Sequence, residues 1–241
     1  MTSNPLALQL YTVRDQLASG REAVLKAIRD FGYGAVEPYD VRTDPEALRA
    51  DLEEAGLAVC SVHARALGDD AGPLLDGART VGADTVIVPS VPAERFADAA
   101  AIAALAREFN EAAARAAGQG LRLGYHNHAF EFGPVDLWSR IVASGLDLEL
   151  DVGWLRVAGR DPVAELEQHA GRLLLVHAKD VRPEGDGWLD VVAGDGELDF
   201  EAIARAAEAA GASRLIVELD TPSDDPVEDS RRSLATLQAV L

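Results

Sequence analysis

Short apolar runs of β-strand character alternate with amphipathic helical patterns along almost the whole chain. Eight runs are rich in Leu, Val and Ile and are bounded by turn residues. They occupy residues 6–13, 35–39, 58–64, 85–91, 121–128, 146–154, 173–180 and 214–220. Apolar positions three and four residues apart predict helices between these runs. The helical patterns cover residues 21–32, 45–56, 96–118, 162–171 and 200–211, and a last one, 229–241, follows the eighth run.

The alternation of strand and helix predicts the fold. Parallel strands need crossover helices, and eight successive strand–helix units in a chain of this length are typical of a (β/α)8 TIM barrel, an α/β fold. A doubly wound open sheet is the structural alternative, but no G-x-G-x-x-G turn follows the first run. No Pro/Ser-rich linker or low-complexity tract divides the chain, so we expect one domain over residues 1–241.

The composition excludes several classes of partner. The chain has 241 residues, is 48% hydrophobic and carries a formal charge of −19, whereas binding to nucleic acid or to anionic membranes needs clustered cations. The single cysteine, Cys60, lies in an apolar run and is expected to be an inert thiol. No secretory leader or membrane-spanning segment is apparent. We expect a soluble cytoplasmic protein, and the sequence leaves a homo-oligomer open.

Polar side chains recur at the carboxyl ends of the predicted strands, where barrel enzymes place their chemistry. In chain order they are Glu37, His63, His126, His128, Glu131, Asp151, His177 and Glu218. Because neighbouring strands stand about 4.8 Å apart, the last four side chains can converge on one point. Three carboxylates so placed would repel one another unless a cation lay between them. The residues therefore predict one divalent metal ion held by Glu131, Asp151, His177 and Glu218. Oxygen ligands favour Mn²⁺ or Mg²⁺, with Co²⁺, Fe²⁺ and Zn²⁺ as alternatives.

Each of these residues also has a structural interpretation. One carboxylate among 41 acidic residues is most often a solvated surface group. A lone histidine such as His63 or His126 is at least as often a hydrogen-bonded core residue, and the "HNH" in 126–128 is also compatible with a two-histidine zinc site. The placement of four such groups on four successive strands is what favours a functional site.

The same residues lie in motifs that resemble those of the sugar phosphate isomerase/epimerase family, the xylose isomerase-like TIM barrels that include inosose dehydratases and ketose 3-epimerases. The motifs are "GYHNHAFEF" (124–132), "LELDVGW" (148–154), "GRDPV" (159–163), "GRLLLVHAKD" (171–180), "GDGELDF" (194–200) and "IVELD" (216–220). The resemblance covers nearly the whole chain, and the order of the motifs is more specific than any one of them.

The resemblance implies a metal-dependent isomerase or epimerase acting on a small sugar, keto-sugar or cyclitol through a metal-bound enediolate. It implies the same four metal ligands, and it gives Glu131 and Glu218 the roles of acid and base. Return of the proton to the opposite face gives epimerisation, return to the neighbouring carbon gives isomerisation, and loss of a β-hydroxyl gives dehydration by a lyase. One site therefore serves three outcomes.

Five further residues are predicted to bind the substrate: His63, His126, Trp154, Lys179 and Arg182. For Lys179 and Arg182, a salt bridge to Asp180 or Glu184 is an equally good interpretation. Trp154 stands where the epimerase-like relatives carry a histidine, and Leu137 stands where they carry a further glutamate. These departures set the chain apart from the ketose 3-epimerases.

Two other classes of function share this barrel. A DNA-repair endonuclease would need a cluster of zinc ions, more histidines than five and a basic groove, which the charge of −19 opposes. A non-catalytic sugar-binding barrel is the other alternative, and the presence of all four predicted ligands speaks against it.

Overall fold

The strands form a parallel barrel. The computed structural model describes residues 5–133 and 137–241. In this part of the chain the main sheet consists of β1 (Leu6–Gln9), β2 (Ala35–Glu37), β3 (Ala58–Val59), β4 (Val62–His63), β5 (Thr85–Val88), β6 (Arg122–His126), β7 (Asp147–Asp151), β8 (Leu173–His177) and β11 (Arg214–Val217). Its order is β3-β2-β1-β11-β8-β7-β6-β5-β4, and every pairing is parallel.

The two ends of this sheet are two halves of one strand. β3 pairs with β2, and after a break at Cys60 and Ser61 the chain continues as β4, which pairs with β5. The backbone closes around the break, because Cys60 N–H donates to the Val36 carbonyl (3.0 Å) and His63 N–H to the Pro38 carbonyl (2.9 Å). The sheet therefore closes into a barrel of eight strand positions, and the predicted (β/α)8 fold is confirmed.

Helices surround the barrel on the outside. They are α1 (Arg14–Phe31), α2 (Pro45–Ala55), α3 (Ala71–Thr80), α4 (Ala99–Gly118), α5 (Leu137–Ala143), α6 (Val152–Val157), α7 (Pro162–Gln168), α8 (Phe200–Ala210) and α9 (Pro226–Val240). Two of the helices that begin with proline have aspartate N-caps: the Asp44 side chain accepts the Ala47 N–H, and the Asp161 side chain accepts the Val163 N–H. Within the described ranges, no helix is both long and apolar enough to span a membrane.

The prediction of strand boundaries was wrong in three places. The run 6–13 leaves the sheet after Gln9, and residues Leu10–Val13 form a 3-10 helix. The run 146–154 leaves the sheet at Asp151, because the Asp151 side chain accepts the Trp154 N–H (2.7 Å) and starts α6. The run 173–180 ends at His177, and the chain then forms an antiparallel hairpin of β9 (Asp180–Glu184) and β10 (Gly187–Val191), which was not predicted.

The barrel interior is built in two layers. Near the amino ends of the strands, a small apolar cluster fills the barrel; it contains Ala7, Ala35, Ile87, Leu175 and Ile216. Side chains two residues further along a strand point to the same face. Four of these strands therefore place a polar side chain directly above the apolar cluster, and these side chains are Gln9, Glu37, His177 and Glu218. The polar layer lies at the carboxyl end of the barrel.

Cys60 lies at the break in the third strand and has no reactive character. Its thiol donates to the Val36 carbonyl (3.3 Å), and burial raises the pKa of the thiol to about 12. The expectation of an inert cysteine fits this environment.

Candidate active site

The lower part of the polar layer is a buried network of carboxylates and histidines. Glu149 Oε1 lies 2.6 Å from His63 Nε2, 3.0 Å from His126 Nδ1 and 3.1 Å from His177 Nε2. Glu37 Oε2 lies 2.8 Å from the same His177 Nε2 and 3.1 Å from His63 Nε2. Both glutamates are fully buried. In the barrel interior, the imidazole rings of these three histidines are therefore held by close contacts with two carboxylates.

Polar neighbours hold Glu37 in place. Gln9 Nε2 donates to Glu37 Oε2 (2.8 Å), and the Ser61 hydroxyl donates to Glu37 Oε1 (2.5 Å). Burial, followed by the charge of Glu149, raises the pKa of Glu37. Burial alone would also raise the pKa of Glu149, but the imidazoles of His177 and His63 hold it well below its ordinary value. Glu149 is therefore the ionised member of the pair.

The upper part of the layer contains three of the four predicted metal ligands. Single nitrogen or oxygen atoms of Asp151, His177, Glu218 and also His126 all lie within 4.8 Å of one another. His177 Nδ1 is 3.0 Å from Glu218 Oε2, and His126 Nε2 is 3.9 Å from Asp151 Oδ2. His126 and His177 thus have one ring nitrogen in the lower network and the other in this upper cluster.

Lys179 supplies a cation at the edge of the upper cluster. Its ammonium lies 2.5 Å from Asp220, 3.0 Å from Glu218 and 3.5 Å from Asp151. Burial alone would lower the pKa of Lys179, but these carboxylates hold it well above its ordinary value. The partners differ from Asp180 and Glu184, so the predicted alternative salt bridge of Lys179 was wrong.

The upper cluster fits a divalent cation. Asp151 Oδ2 is buried and has no hydrogen-bond partner among the described residues, and burial raises the pKa of Asp151 to about 6 despite the nearby charge of Lys179. The carboxylates of Asp151, Glu218 and Asp220 face the ammonium of Lys179, and the His177 ring, 3.0 Å from Glu218, is a second basic group beside them. Carboxylate oxygens and an imidazole nitrogen are suitable ligands for Mg²⁺, Mn²⁺ or Zn²⁺.

Glu131 lies apart from this cluster. It follows β6 in a short 3-10 helix, where Oε1 accepts the Tyr125 hydroxyl (2.9 Å) and Oε2 accepts the His128 N–H (2.8 Å). It belongs to neither group of converging ligand atoms found in residues 5–133 and 137–241. Burial raises the pKa of Glu131 to about 7. One hydrogen bond to each oxygen leaves lone pairs of the carboxylate free, so these contacts do not exclude a bond to a metal, and the ligand role of Glu131 stays a prediction.

Asn127, the middle residue of the "HNH" segment, has a structural role. Its side-chain oxygen accepts the Asp151 N–H (2.9 Å), and its side-chain nitrogen donates to the Asp151 carbonyl (3.3 Å). This pair of bonds fixes the end of β7 against the end of β6. Asn127 therefore positions Asp151, while the flanking histidines face the site.

An open cavity lies above the polar layer. It has a volume of about 540 Å³, and the residues lining it include His63, His126, His128, Glu218 and Asp220. Tyr11 and Tyr39, which meet edge to face with ring centroids 5.4 Å apart, form its outer rim and are partly exposed. Its volume is within the range of small-molecule sites.

The remaining predicted substrate residues differ in their placement. Trp154 packs behind His128, with ring centroids 5.6 Å apart, and lies under the Lys179 ammonium (5.2 Å). Arg182 is exposed on β9 and is not among the residues lining the cavity in the described part of the chain. Glu149 and Asp220 were not predicted as site residues. The two-residue alternation along β7, which links Glu149 to Asp151, was the signal for Glu149.

Solved structures of other proteins share the fold of this chain. A sugar phosphate isomerase/epimerase from Parabacteroides distasonis superposes with a TM-score of 0.83 at 23% identity, covering 99% of this chain and 95% of that chain. A xylose isomerase-like TIM barrel protein from Mycobacterium smegmatis, solved in complex with magnesium, superposes with a TM-score of 0.74 at 18% identity, covering 99% and 97%. At these identities the likeness shows a shared fold.

Sequence comparisons identify one relative that matches part of the chain and a family whose model matches most of it. The rhizopine catabolism protein MocC from Rhizobium meliloti is 33% identical over 119 residues, which is 42% of this chain and only 37% of the length of MocC. The family model described as xylose isomerase-like TIM barrel matches residues 25–240. The chain therefore belongs to the xylose isomerase-like TIM barrel family.

Proposed function

We propose that the protein is a divalent-metal-dependent isomerase or epimerase that acts on a small sugar, keto-sugar or cyclitol. The observation that carries the proposal is the buried Asp151 Oδ2, which lies in a cluster with His177 and Glu218 and accepts no hydrogen bond from any residue in 5–133 or 137–241. An unsatisfied buried carboxylate oxygen is costly unless a ligand binds it. Membership of the xylose isomerase-like family supports a sugar as the substrate.

Asp151, His177 and Glu218 would hold the metal ion, as the sequence predicts. Mn²⁺ or Mg²⁺ is the favoured ion because carboxylate oxygens predominate. A bound divalent ion supplies a Lewis acid for a substrate carbonyl and its adjacent hydroxyl. The protein side chains then supply the remaining chemistry.

Glu218 and Glu131 have contrasting environments that suit a base and an acid. Glu218 lies 3.0 Å from the Lys179 ammonium, which stabilises its ionised form, and it lines the cavity. It takes the proton from the carbon next to the substrate carbonyl. Glu131 is buried with its pKa raised to about 7, so it can carry a proton near neutral pH. It returns a proton to the opposite face or to the neighbouring carbon.

A lyase reaction on the same site is the second candidate. The protonated Glu131 that favours proton return would equally protonate a departing β-hydroxyl. The two candidates differ in their product, because only the lyase releases water from the substrate.

Metal analysis and proton exchange together test the proposal. We expect elemental analysis of the purified protein to find one divalent ion per chain. A panel of keto- and aldo-sugars and cyclitols in deuterated water, followed by proton NMR, should show exchange at the carbon next to the carbonyl. Glu218→Gln should abolish this exchange. Glu165→Gln alters a buried glutamate on α7, outside the site, and should retain it.

Three results would overturn the proposal. Undiminished exchange in Glu218→Gln would remove the assigned base. About three zinc ions per chain would favour a nuclease. Sugar binding that is insensitive to chelators, with no turnover after metal is restored, would favour a binding protein.

A further inference from the structure

The cavity above the polar layer has two chemically different sides, and the proposed chemistry uses only one of them. The inner side is polar and consists of His63, His126, His128, Glu218 and Asp220. The outer side is mainly apolar and includes Tyr11, Tyr39, Ala64, Leu74 and Pro89, which we call the apolar wall. The residues of the apolar wall all follow β1, β2, β4 or β5 in the chain, so one half of the barrel mouth supplies this wall.

Two tyrosines of the apolar wall are held in fixed positions although each is 39% exposed. The Arg14 guanidinium lies 4.1 Å from the centroid of the Tyr11 ring and donates to the carbonyls of Tyr11 (2.8 Å) and Asp220 (3.2 Å). The Tyr39 ring packs edge to face against Tyr11. Within residues 5–133 and 137–241, the exposed large hydrophobic side chains are Tyr11, Tyr39, Phe130 and Leu241. Two of these four therefore meet at the cavity mouth, and exposed apolar surface of this kind marks a binding site.

A free sugar matches the polar side of the cavity better than it matches the apolar wall. A sugar carries hydroxyl groups around its ring, and a hydroxyl buried against an apolar surface without a partner is costly. A ligand with a hydroxyl-rich part and an apolar part would match both sides. The volume of about 540 Å³ has room for both parts, since sites of about 300 to 1,000 Å³ hold drug-sized ligands.

We propose that the substrate is a glycoside whose sugar occupies the polar side of the cavity and whose apolar aglycone lies against Tyr11, Tyr39 and Leu74. This inference rests on the proposed function, because the sugar reacts at the candidate metal site. The aglycone occupies the anomeric carbon, so the carbonyl that enediolate chemistry needs must be on another carbon of the sugar ring. The substrate class is therefore an oxo-glycoside, a glycoside with a carbonyl in its sugar ring.

An anionic sugar is the competing substrate class, because Arg65 also lines the cavity. The Arg65 guanidinium already donates to Ser90, from Nε to the carbonyl (3.2 Å) and from Nη2 to the hydroxyl (3.1 Å). No other arginine or lysine of the described residues lines this cavity. Sites for phosphate or carboxylate groups usually combine several donors. The five residues of the apolar wall therefore favour an apolar aglycone over an anionic group.

Proton exchange with matched glycosides tests the inference. The probes are the benzyl and methyl glycosides of 3-oxoglucose, which differ only in the phenyl ring of the aglycone. Exchange at the carbons next to the carbonyl would be followed by proton NMR in deuterated water with the purified protein. We expect the benzyl glycoside to be preferred by about 10- to 100-fold in kcat/KM, as is typical for burial of one phenyl ring.

Variants of the apolar wall locate the aglycone. Tyr39→Ala should reduce the preference for the benzyl glycoside by about 5- to 10-fold. Tyr39→Phe keeps the ring and should retain the preference. Phe130→Ala is the matched control, because Phe130 is equally exposed but is not among the residues that line the cavity. A general loss of activity in any variant cancels, since the preference is a ratio of two rates for one protein.

The outcomes separate this inference from the proposed function. Equal kcat/KM for the two glycosides, or exchange with free fructose and with neither glycoside, would overturn the inference alone. A preference that Tyr39→Ala leaves unchanged would do the same. Faster exchange with fructose 6-phosphate than with the benzyl glycoside, lost in Arg65→Met, would make an anionic sugar the substrate and also overturn it. Absence of exchange with every sugar, glycoside and cyclitol would overturn both the inference and the proposed function.

Discussion

Replacing Glu131 by glutamine should change how the stability of the protein depends on pH. Burial raises the pKa of Glu131 from 4.5 to about 7, although hydrogen bonds from Tyr125 and the His128 amide oppose this. Because the folded protein holds this proton more tightly than the unfolded chain, the group stabilises the fold fully below a pH of about 4.5. That stabilisation is lost as the pH rises through about 7. Glu131→Gln has no such proton to lose.

The size of the effect follows from the shift in pKa. One pKa unit corresponds to about 1.4 kcal/mol, so a shift from 4.5 to about 7 corresponds to a full contribution of about 3 kcal/mol. Between a pH of about 5.5 and about 8, the wild type should lose about 2 kcal/mol of this contribution. The free energy of unfolding of Glu131→Gln, relative to that of the wild type, should rise by the same amount.

Urea unfolding at the two pH values, with a chelator present, measures this difference. Other titrating groups contribute equally to both proteins and cancel in the comparison. Tyr125→Phe provides a second test, because loss of the hydroxyl that stabilises the ionised Glu131 should move the transition to higher pH. Parallel pH profiles for wild type and Glu131→Gln, or a shift to lower pH in Tyr125→Phe, would refute the assigned environment of Glu131.

Three further predictions concern the structure around the site. The Asp180 carboxylate accepts hydrogen bonds from four backbone N–H groups between Val181 and Leu198. Asp180→Asn should therefore lower the free energy of unfolding, measured by urea titration, by about 3 kcal/mol. An unchanged urea midpoint would contradict this. In Gly153→Ala, the new Cβ would lie 2.8 Å from Lys179 Cγ. This substitution should lower the free energy of unfolding by about 1 to 3 kcal/mol and slow turnover. Wild-type stability and a wild-type rate would contradict this prediction. Addition of Mn²⁺ at about 100 times its Kd to chelator-treated protein should raise the free energy of unfolding by about 2.7 kcal/mol, and thermal scans without any shift would contradict the metal site.

The barrel could be predicted because its pattern is set by local physics. Buried parallel strands read as apolar runs, and the helices between them need one apolar face, so each unit leaves its own signature in the sequence. The β9–β10 hairpin was missed because its residues, 180–191, are mostly polar and lie on the surface beyond the barrel. The end of β7 was placed too late because the capping role of Asp151 depends on a backbone turn that apolar periodicity does not report.

The candidate site was predictable where strand geometry controls it. Asp151, His177 and Glu218 converge because they lie at the ends of neighbouring barrel strands, as expected from sequence. Glu131 lies beyond β6 in a 3-10 helix, where the strand no longer determines the direction of the side chain. Glu149 points inward two residues before Asp151, and a prediction limited to strand ends does not include it.

The cost of the polar layer is itself an argument for ligand binding. Glu37, Glu149 and Asp151 are fully buried, and two of them share histidine partners at distances of 2.6 to 3.1 Å. Replacing buried ionic networks by apolar residues of similar volume is often neutral or stabilising by about 1 to 4 kcal/mol. The apolar cluster one layer below shows that this barrel can fill its interior with Ala, Leu and Ile side chains. Stability therefore does not require charges at the carboxyl end, and their concentration next to the cavity supports the proposed binding of a cation and a substrate.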